Sequence, residues 1–209
     1  MIAPMGDAET VLERCDLLAR CSEEPDRLTR RFATPALREA RDLVRGWMRD
    51  AGLATRCDPI GNLVGRLDGG GNRALVLGSH LDTVPDAGRY DGPLGVLIGM
   101  ACAERLHEHG RRLPFALEVV GFADEEGARY RTAFLGSAVM AGRFEAAWLG
   151  RVDADGTRVR LGDTDARILV EDGVRYRVDP GGARIRIERR RDAQRDRCEV
   201  LTVPQGKLV

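Results

Sequence analysis

A histidine, several carboxylates and several glycines occur together in residues 78–92, GSHLDTVPDAGRYDG. His80 and Asp82 lie two residues apart, so on an extended segment their side chains share one face. A carboxylate beside an imidazole can accept the spare ring N–H and fix the ring's orientation. The pair therefore predicts a metal-binding His80 that is held in place by Asp82.

Asp91 follows in the glycine-bounded turn RYDGPLG. Glycine lets the backbone approach an ion closely, because it has no Cβ. The Asp91 carboxylate could bridge two metal ions from such a turn. Two ions some 3.5 to 4 Å apart can hold a water molecule between them and lower its pKa towards about 7.

A second acidic cluster, ADEEG, ends the apolar segment LPFALEVVGF. Neighbouring residues on a strand point in opposite directions, so Glu125 and Glu126 would have different roles. One could bind metal while the other acts as general base and then as general acid for a leaving nitrogen. Each motif alone is more often an ordinary polar turn, but their occurrence at two strand ends favours a functional site.

The surrounding pattern predicts the elements that position these residues. Apolar residues at helical spacing predict a helix over residues 9–21, a second helix from Thr34 to Gly52 and a third between Gly95 and Gly110. Strands are predicted around residues 61–67, 73–79 and 113–122, the second being an almost continuous apolar run, typical of a sheet covered on both faces. We expect an α/β fold, an open mixed sheet flanked by helices, with ligands at the carboxyl ends of its strands.

Composition excludes several classes of protein. The formal net charge of zero provides no global attraction to nucleic acid or anionic lipid, which leaves a small-molecule substrate. No apolar run approaches the roughly 20 residues of a membrane span, and the basic, apolar start of a secretory signal is missing, so we expect a cytoplasmic protein. The five scattered cysteines form no C-x-x-C pair, which argues against a disulfide framework and against a zinc knuckle. His107 and His109 lie two apart on a helix, which predicts a solvated helix end rather than a metal pair.

Two segments, GSHLDTVPDAGRYDGPLGV and VVGFADEEGARYRTAFLGSAVMAG, resemble a family of dinuclear metal-dependent amidohydrolases. The family includes allantoate amidohydrolase, N-carbamoyl-L-amino-acid hydrolase and beta-ureidopropionase, relatives of aminoacylases and carboxypeptidases. The resemblance covers roughly residues 8 to 156 and is greatest to allantoate amidohydrolase. It implies hydrolysis of allantoate to ureidoglycine, ammonia and carbon dioxide, with two divalent ions, Mn²⁺ or Zn²⁺, in a homodimer.

The resemblance also assigns roles to individual residues. His80 resembles the ligand of one metal, Asp91 the bridging ligand and Glu126 a ligand of the other metal. Glu125 resembles the catalytic acid/base, and Asp82 the partner of His80. Hydrolysis of N-carbamoyl amino acids would use the same metal motifs, and a noncatalytic interaction protein that keeps the scaffold is a third interpretation.

The chain departs from the family beyond these motifs. Family members are longer and have two further histidine ligands downstream, whereas no histidine follows His109 here. We therefore expect a truncated chain, inactive alone, whose site is completed by a homodimer partner or a second chain. The predicted boundary divides residues 1–156, part of the catalytic domain, from a divergent β-rich tail, residues 157–209. In that tail, alternating apolar residues flank a DPGG turn and predict a β-hairpin: Val174, Tyr176, Val178, Ile185 and Ile187.

Overall fold

The structure, a computed structural model, describes residues 7–58, 60–143 and 145–157 and the backbone of four strands between residues 168 and 202. The first part contains four α-helices, four strands and a short 3-10 helix. In chain order these are α1 (Asp7–Leu18), α2 (Pro35–Asp50), β1 (Ala54–Cys57), β2 (Leu63–Leu67), β3 (Ala74–His80), α3 (Pro93–Glu108), β4 (Ala116–Phe122), α4 (Leu135–Met140) and the 3-10 helix Ala146–Gly150. The predicted helices and strands of this part are confirmed.

Helix α2 begins and ends where its sequence predicts. The Thr34 hydroxyl accepts a hydrogen bond from the Leu37 N–H, and Pro35 occupies the first turn, where a backbone donor is not needed. Gly52 follows the last turn with a φ of +82°, a left-handed conformation that favours glycine. The helix therefore carries its own start and stop signals.

The first sheet is mixed, as predicted, with the strand order β1-β2-β4-β3. β3 and β4 pair in parallel through the crossover helix α3, and His80 lies opposite Phe122 at their carboxyl ends. The other neighbours pair antiparallel. Because parallel strands end at the same edge of a sheet, the polar segments that follow β3 and β4 must emerge side by side.

A continuous hydrophobic core lies between this sheet and the helices. α3 packs against β3 and β4, and α1 packs against α3. The largest fully buried apolar side chains are Leu18, Val44, Met48, Leu63, Val64, Leu81, Val96, Leu97, Met100, Val119 and Leu135. Full burial of one such side chain contributes about 1.5–3 kcal/mol, so this core fixes the strands that carry the polar segments.

The expectation that β3 is covered on both faces is wrong. Leu75 and Val76 are 47% and 45% exposed. β3 is an edge strand, and within the described part of the chain its outer side pairs with no other strand. An apolar run is compatible with an edge strand as well as a central one, because the sequence pattern reports the residue types and not the neighbours.

A second sheet is described by its backbone alone. It contains β5 (Ile168–Leu169), β6 (Val174–Val178), β7 (Ile185–Arg189) and β8 (Glu199–Thr202), all antiparallel and in sequence order. The predicted hairpin is confirmed, since Tyr176 pairs with Ile187 and Val178 with Ile185. Its DPGG turn lies outside the described residues, and the division at residue 156 stays a prediction.

The described cysteines are free thiols. Cys15 and Cys21 are buried in the core, Cys57 is half-buried and Cys102 is exposed. Cys198 lies outside the described residues. Within the part of the chain that the structure describes, no helix combines the length and apolar character needed to cross a bilayer.

Candidate metal centre

Two loops meet at the carboxyl ends of β3 and β4. The His80 loop comprises residues 80–92, and the glutamate loop comprises residues 123–127. The Leu81 N–H donates to the Phe122 carbonyl at 3.0 Å, which extends the parallel pairing one residue beyond β3. The sheet register therefore brings the two predicted motifs together, although they are more than thirty residues apart in sequence.

Three side chains from these loops form a candidate ligand set. One ligand atom from each of His80, Asp91 and Glu126 lies within 4.8 Å of the other two. His80 Nε2 is 3.8 Å from an Asp91 carboxylate oxygen and 3.9 Å from Glu125 Oε2. Zinc binds histidine nitrogen and carboxylate oxygen at about 2.0–2.2 Å. Small side-chain shifts would therefore let the ligand atoms of His80, Asp91 and Glu126 reach one ion.

The orientation of His80 is fixed by the backbone around it. Its Nδ1 lies 2.9 Å from the Asp82 carbonyl oxygen, and because a carbonyl can only accept, Nδ1 carries the proton. Nε2 then presents its lone pair to the carboxylates. Gly92 has a φ of +86°, and a Cβ there would lie 2.6 Å from the His80 ring, so only glycine fits beside the imidazole.

Asp82 contacts His80 differently from the sequence-based expectation. The expected partner of the ring was the carboxylate, but its nearer oxygen is 3.7 Å from Nδ1. The buried Asp82 carboxylate instead accepts the backbone N–H groups of Glu125 and Glu126, each at 3.1 Å. Burial raises the pKa of Asp82, and these two amide hydrogen bonds oppose that rise.

Asp124 is a second buried carboxylate beside the site, and sequence reasoning missed it. One of its oxygens accepts from the Gly127 N–H at 3.3 Å, while Oδ2 is buried and has no hydrogen-bond partner among the described residues. Burial, together with the charge of Asp82, raises the pKa of Asp124 to about 8. A pKa near 8 favours the protonated form of Asp124 at neutral pH. Burial also raises the pKa of Glu126, and His80 opposes this rise.

A buried arginine holds the start of the His80 loop. The Arg30 guanidinium donates to the Leu81 carbonyl at 2.7 Å, to the carbonyl of Leu18 at the end of α1 and to that of Cys21 just beyond it. The Arg30 backbone N–H donates to the Thr83 hydroxyl, and the Thr83 N–H donates to the Arg30 carbonyl. The sequence contains no signal for this role, because Arg30 lies in a nonperiodic, charged segment among many arginines.

The other two histidines lie outside the cluster. His107 and His109 are exposed at the carboxyl end of α3, and His109 Nδ1 is 2.8 Å from the Arg105 carbonyl oxygen. The prediction of a solvated helix end is confirmed. His80, Asp91, Glu126 and the nearby Glu125 are thus brought together as predicted, whereas their chemical roles stay predictions.

Comparisons with known proteins show similarity over the part of the chain that contains this cluster. The family model described as peptidase family M20/M25/M40 matches residues 76–192. The chain is 39% identical to an allantoate deiminase of Arabidopsis thaliana, covering 82% of this chain and 34% of that protein. It is 42% identical to an N-carbamoyl-L-amino acid amidohydrolase of Geobacillus stearothermophilus, covering 73% of this chain and 38% of that protein.

A solved structure shows the same similarity in three dimensions. The hydantoinase/carbamoylase family amidase from Burkholderia ambifaria superposes with a TM-score of 0.68 and 38% identity. The match covers 74% of this chain and 38% of the amidase. The chain spans about a third of the length of the curated relatives that it matches.

Proposed function

The chain belongs to peptidase family M20/M25/M40. We propose that it forms the metal-binding part of a hydrolase that cleaves a carbon–nitrogen bond. The substrate would be a small linear amide or ureido compound. The observation that carries this proposal is the convergence of His80, Asp91 and Glu126 within 4.8 Å, with the Glu125 carboxylate beside them.

The donor set fits a divalent metal ion. Imidazole and carboxylate ligands suit Zn²⁺, and carboxylates also suit Mn²⁺. His80, Asp91 and Glu126 would hold the metal, which when bound supplies an acidic water molecule and polarises a carbonyl group. We propose two ions, as the resemblance implies, and Asp91, whose side chain is 61% exposed, is the residue that would be shared by both.

Glu125 is the residue to which we assign proton transfer. Its side chain is 36% exposed, so it can exchange protons with water at the site. Glu125 would take a proton from the attacking water and deliver it to the leaving nitrogen, which breaks the carbon–nitrogen bond. His80 would keep its proton on Nδ1 throughout, because the Asp82 carbonyl oxygen accepts a hydrogen bond from that N–H.

We propose allantoate as the substrate, with N-carbamoyl-L-amino acids as the second candidate. Support for allantoate comes from the Arabidopsis relative and from two Glycine max relatives named allantoate deiminase, 45% and 44% identical. Support for the second candidate comes from the Geobacillus stearothermophilus relative, 42% identical. Both compounds carry a ureido group, so the same metal cluster would serve either reaction.

A second ion would need further ligands. His107 and His109 are at the exposed end of α3, and the cluster found among the described residues contains one imidazole. We propose that a homodimer partner or a second chain supplies the additional ligands. Cytoplasmic residence of the complex stays a prediction.

The test is hydrolysis by the purified chain with added manganese. Ammonia release from allantoate and, separately, cleavage of an N-carbamoyl-L-amino acid are followed on samples whose metal content is determined. We expect the chain alone to bind metal in a way that depends on His80, and we expect turnover, lost in Glu125→Gln, once a candidate partner chain is added. Full metal loading with no cleavage of either compound, in the presence of a candidate partner chain, would contradict the proposal.

A further inference from the structure

We propose that residues 28–33 act as a linking segment that sets the separation of the two loops, and that Arg30 is its main positioning residue. The linking segment belongs to no helix or strand. The inference rests on the proposed function for its chemical consequence, whereas the contacts themselves can be tested on the metal-free chain.

The linking segment lies along the His80 loop. Arg30 and Thr83 are joined by two hydrogen bonds, since the Arg30 N–H donates to the Thr83 hydroxyl at 2.8 Å and the Thr83 N–H donates to the Arg30 carbonyl at 2.9 Å. Further along, the Leu28 carbonyl accepts the Ala87 N–H at 2.9 Å. The His80 loop is therefore held over several residues by a segment that lies far from it in sequence.

The other end of the linking segment contacts the chain that follows the glutamate loop. The Arg129 guanidinium donates to the carbonyls of Phe32 and Ala33, both at 2.9 Å. The Phe32 ring packs edge-on against Tyr130, with 6.1 Å between the ring centroids. Because Arg129 comes shortly after Glu126 in the chain, one segment contacts the surroundings of both halves of the ligand set.

Arg30 fastens the linking segment to Leu81, the residue that follows His80. Its guanidinium donates to three backbone carbonyls, those of Leu81 at 2.7 Å, Leu18 at 2.6 Å and Cys21 at 3.0 Å. A planar guanidinium carries five N–H donors in a fixed fork, so it can serve several carbonyls at once. The ammonium of a lysine is a compact group on a flexible stem and lacks this geometry.

The burial of Arg30 shows that packing alone does not explain this side chain. Arg30 is 0% exposed, and its Nη2 has no hydrogen-bond partner among the described residues. A buried charge that is incompletely hydrogen-bonded costs free energy, and an apolar side chain would fill the same space at lower cost. We therefore assign the guanidinium to holding the Leu81 carbonyl, and with it the start of the His80 loop.

Loss of this contact should change the ligand set and not only the stability. The linking segment contacts both sides of the cluster, so displacement of Arg30 would alter the separation of His80 and Glu126. Their ligand atoms now lie within 4.8 Å of each other. Metal affinity should therefore fall in a variant that remains folded.

Arg30→Lys is the main variant, and Arg14→Met is its control. Lysine retains the charge of Arg30, but its ammonium cannot replace three contacts in different directions. Arg14 is another largely buried arginine, with a side chain 14% exposed, that bonds to Glu104 at 3.3 Å and lies over the Trp47 ring. These partners belong to α3 and α2, so Arg14→Met should lower stability without displacing either loop.

The test combines amide exchange of the metal-free chain with Mn²⁺ titration, at a temperature where all three proteins are folded. In Arg30→Lys the amide protons of Thr83 and Ala87 should exchange at least about tenfold faster, while those of the β2–β4 pairing keep their rates. Mn²⁺ affinity should fall about tenfold or more. Arg14→Met should leave the affinity and both exchange rates within about twofold of the wild type.

Two outcomes would overturn the inference. Unchanged Mn²⁺ affinity in Arg30→Lys, or an equal loss of affinity in Arg14→Met, would mean that Arg30 contributes only to stability. A wild-type chain that binds no Mn²⁺ would instead contradict the proposed function. The exchange rates of Thr83 and Ala87 in Arg30→Lys would then decide the inference alone.

Thr83→Val is the second variant, for the case in which Arg30→Lys does not fold. Valine keeps the shape of the threonine side chain and removes the hydroxyl that accepts the Arg30 N–H. We expect faster exchange at Ala87 and an Mn²⁺ affinity lowered about threefold or more. Wild-type exchange at Ala87 together with wild-type affinity would contradict the linking role.

Discussion

The two loops that supply the cluster are held in different ways. The glutamate loop is short, and its backbone is bound on both sides, by the Asp82 carboxylate and by the Phe134 N–H. The His80 loop runs from a buried histidine, 9% exposed, to Asp91, whose side chain is 61% exposed. The middle of the loop is held by a distant segment, since the Ala87 N–H donates to the Leu28 carbonyl at 2.9 Å and the Asp86 N–H to the Thr29 hydroxyl at 3.2 Å. Its end is held by a turn, in which the Asp91 N–H donates to the Gly88 carbonyl at 3.2 Å.

The difference separates a preorganised part of the site from an adjustable one. His80 and the glutamates occupy positions set by the sheet register, whereas Asp91 can follow the ion that binds. A site with fixed donors on rigid elements loses little entropy on binding, and one adjustable carboxylate lets it accept ions of different size. The following substitutions test this division, beginning with the largest expected effect.

Gly92→Ala should break the His80 loop where it is most tightly packed. The new Cβ would lie 2.6 Å from the His80 ring and 2.7 Å from its carbonyl oxygen, at a φ of +86°. We expect the free energy of unfolding to fall by about 3 kcal/mol, with loss of metal binding. Urea unfolding measures the change.

Gly88→Ala is the matched control in the same loop. Nothing lies within 4 Å of a Cβ at Gly88, so its effect on the free energy of unfolding should stay within about 0.5 kcal/mol. Equal losses of stability in Gly92→Ala and Gly88→Ala would contradict the expectation that the loop is tightly packed at Gly92 and loosely packed at Gly88.

Asp124 should make the stability of the metal-free chain depend on pH. Its pKa is raised in the folded state to about 8, against 3.8 for the ordinary group. The folded state therefore binds the proton more tightly, and the free energy of unfolding should fall as the pH rises from about 4 to about 8. Asp124→Asn removes the ionisable group and with it this pH dependence. The substitution should therefore raise the free energy of unfolding at pH 8.5 by on the order of 2 kcal/mol.

Thermal unfolding of both proteins across this pH range, with a chelator present, measures the effect. At pH 4 the two proteins should be nearly equally stable, because Asp124 is protonated in the folded chain. A wild-type stability that rises between pH 5 and pH 8 more steeply than that of Asp124→Asn would refute the assignment of a neutral carboxyl group.

Asp91→Asn and Glu125→Gln compare one residue from each loop. The amide that replaces the Asp91 carboxylate would be a weaker ligand, because it is uncharged, so we expect manganese affinity to fall about tenfold or more. Glu125 is assigned to proton transfer, and its replacement by glutamine should leave metal affinity nearly unchanged. Isothermal titration with Mn²⁺ measures both, and equal affinities would contradict the division of roles.

Phe134→Gly should have the smallest effect on stability of these substitutions. Phe134 is the residue whose N–H donates to the Glu125 carbonyl in the glutamate loop. Phe134 has a φ of +65° and is 56% exposed, so it is strained and buries little surface. Glycine adopts this conformation freely, and we expect a gain in the free energy of unfolding of up to about 1 kcal/mol. Val84→Gly, at an exposed position of the His80 loop with negative φ, should instead lose stability in the same urea titration.

The sequence predicted the parts of the fold that depend on local pattern. Helix α2 is defined by Thr34, Pro35 and Gly52, and the meeting of the two motifs follows from the parallel pairing of β3 with β4. His80 and Asp91 were predicted because their residue types and glycine-rich context are typical of a metal site, whereas Glu126 was preferred to Glu125 as a ligand because of the resemblance to the family. The signals for the helix ends and for the candidate ligands lie within a few residues of the side chains that they predict.

The remaining features depend on contacts between distant segments. The Asp82 carboxylate was expected to hold an imidazole two residues away, but it accepts hydrogen bonds from amides 43 and 44 residues further along, and the Asp82 carbonyl contacts the imidazole instead. Arg30 reaches Leu81 across 51 residues, and no periodicity marks it. The exposure of β3 was misjudged for the same reason, because an apolar run does not identify its neighbours.

The exposed side of β3 also affects how this protein behaves in concentrated solution. The outer side of β3 pairs with no other strand in the described part of the chain, and with Leu75 and Val76 exposed it is a template for another copy of the same strand. The formal net charge is zero and the isoelectric point is near 6.8, so near neutral pH copies meet with little electrostatic repulsion. Colloidal stability should therefore be lowest close to physiological pH and improve on either side of it.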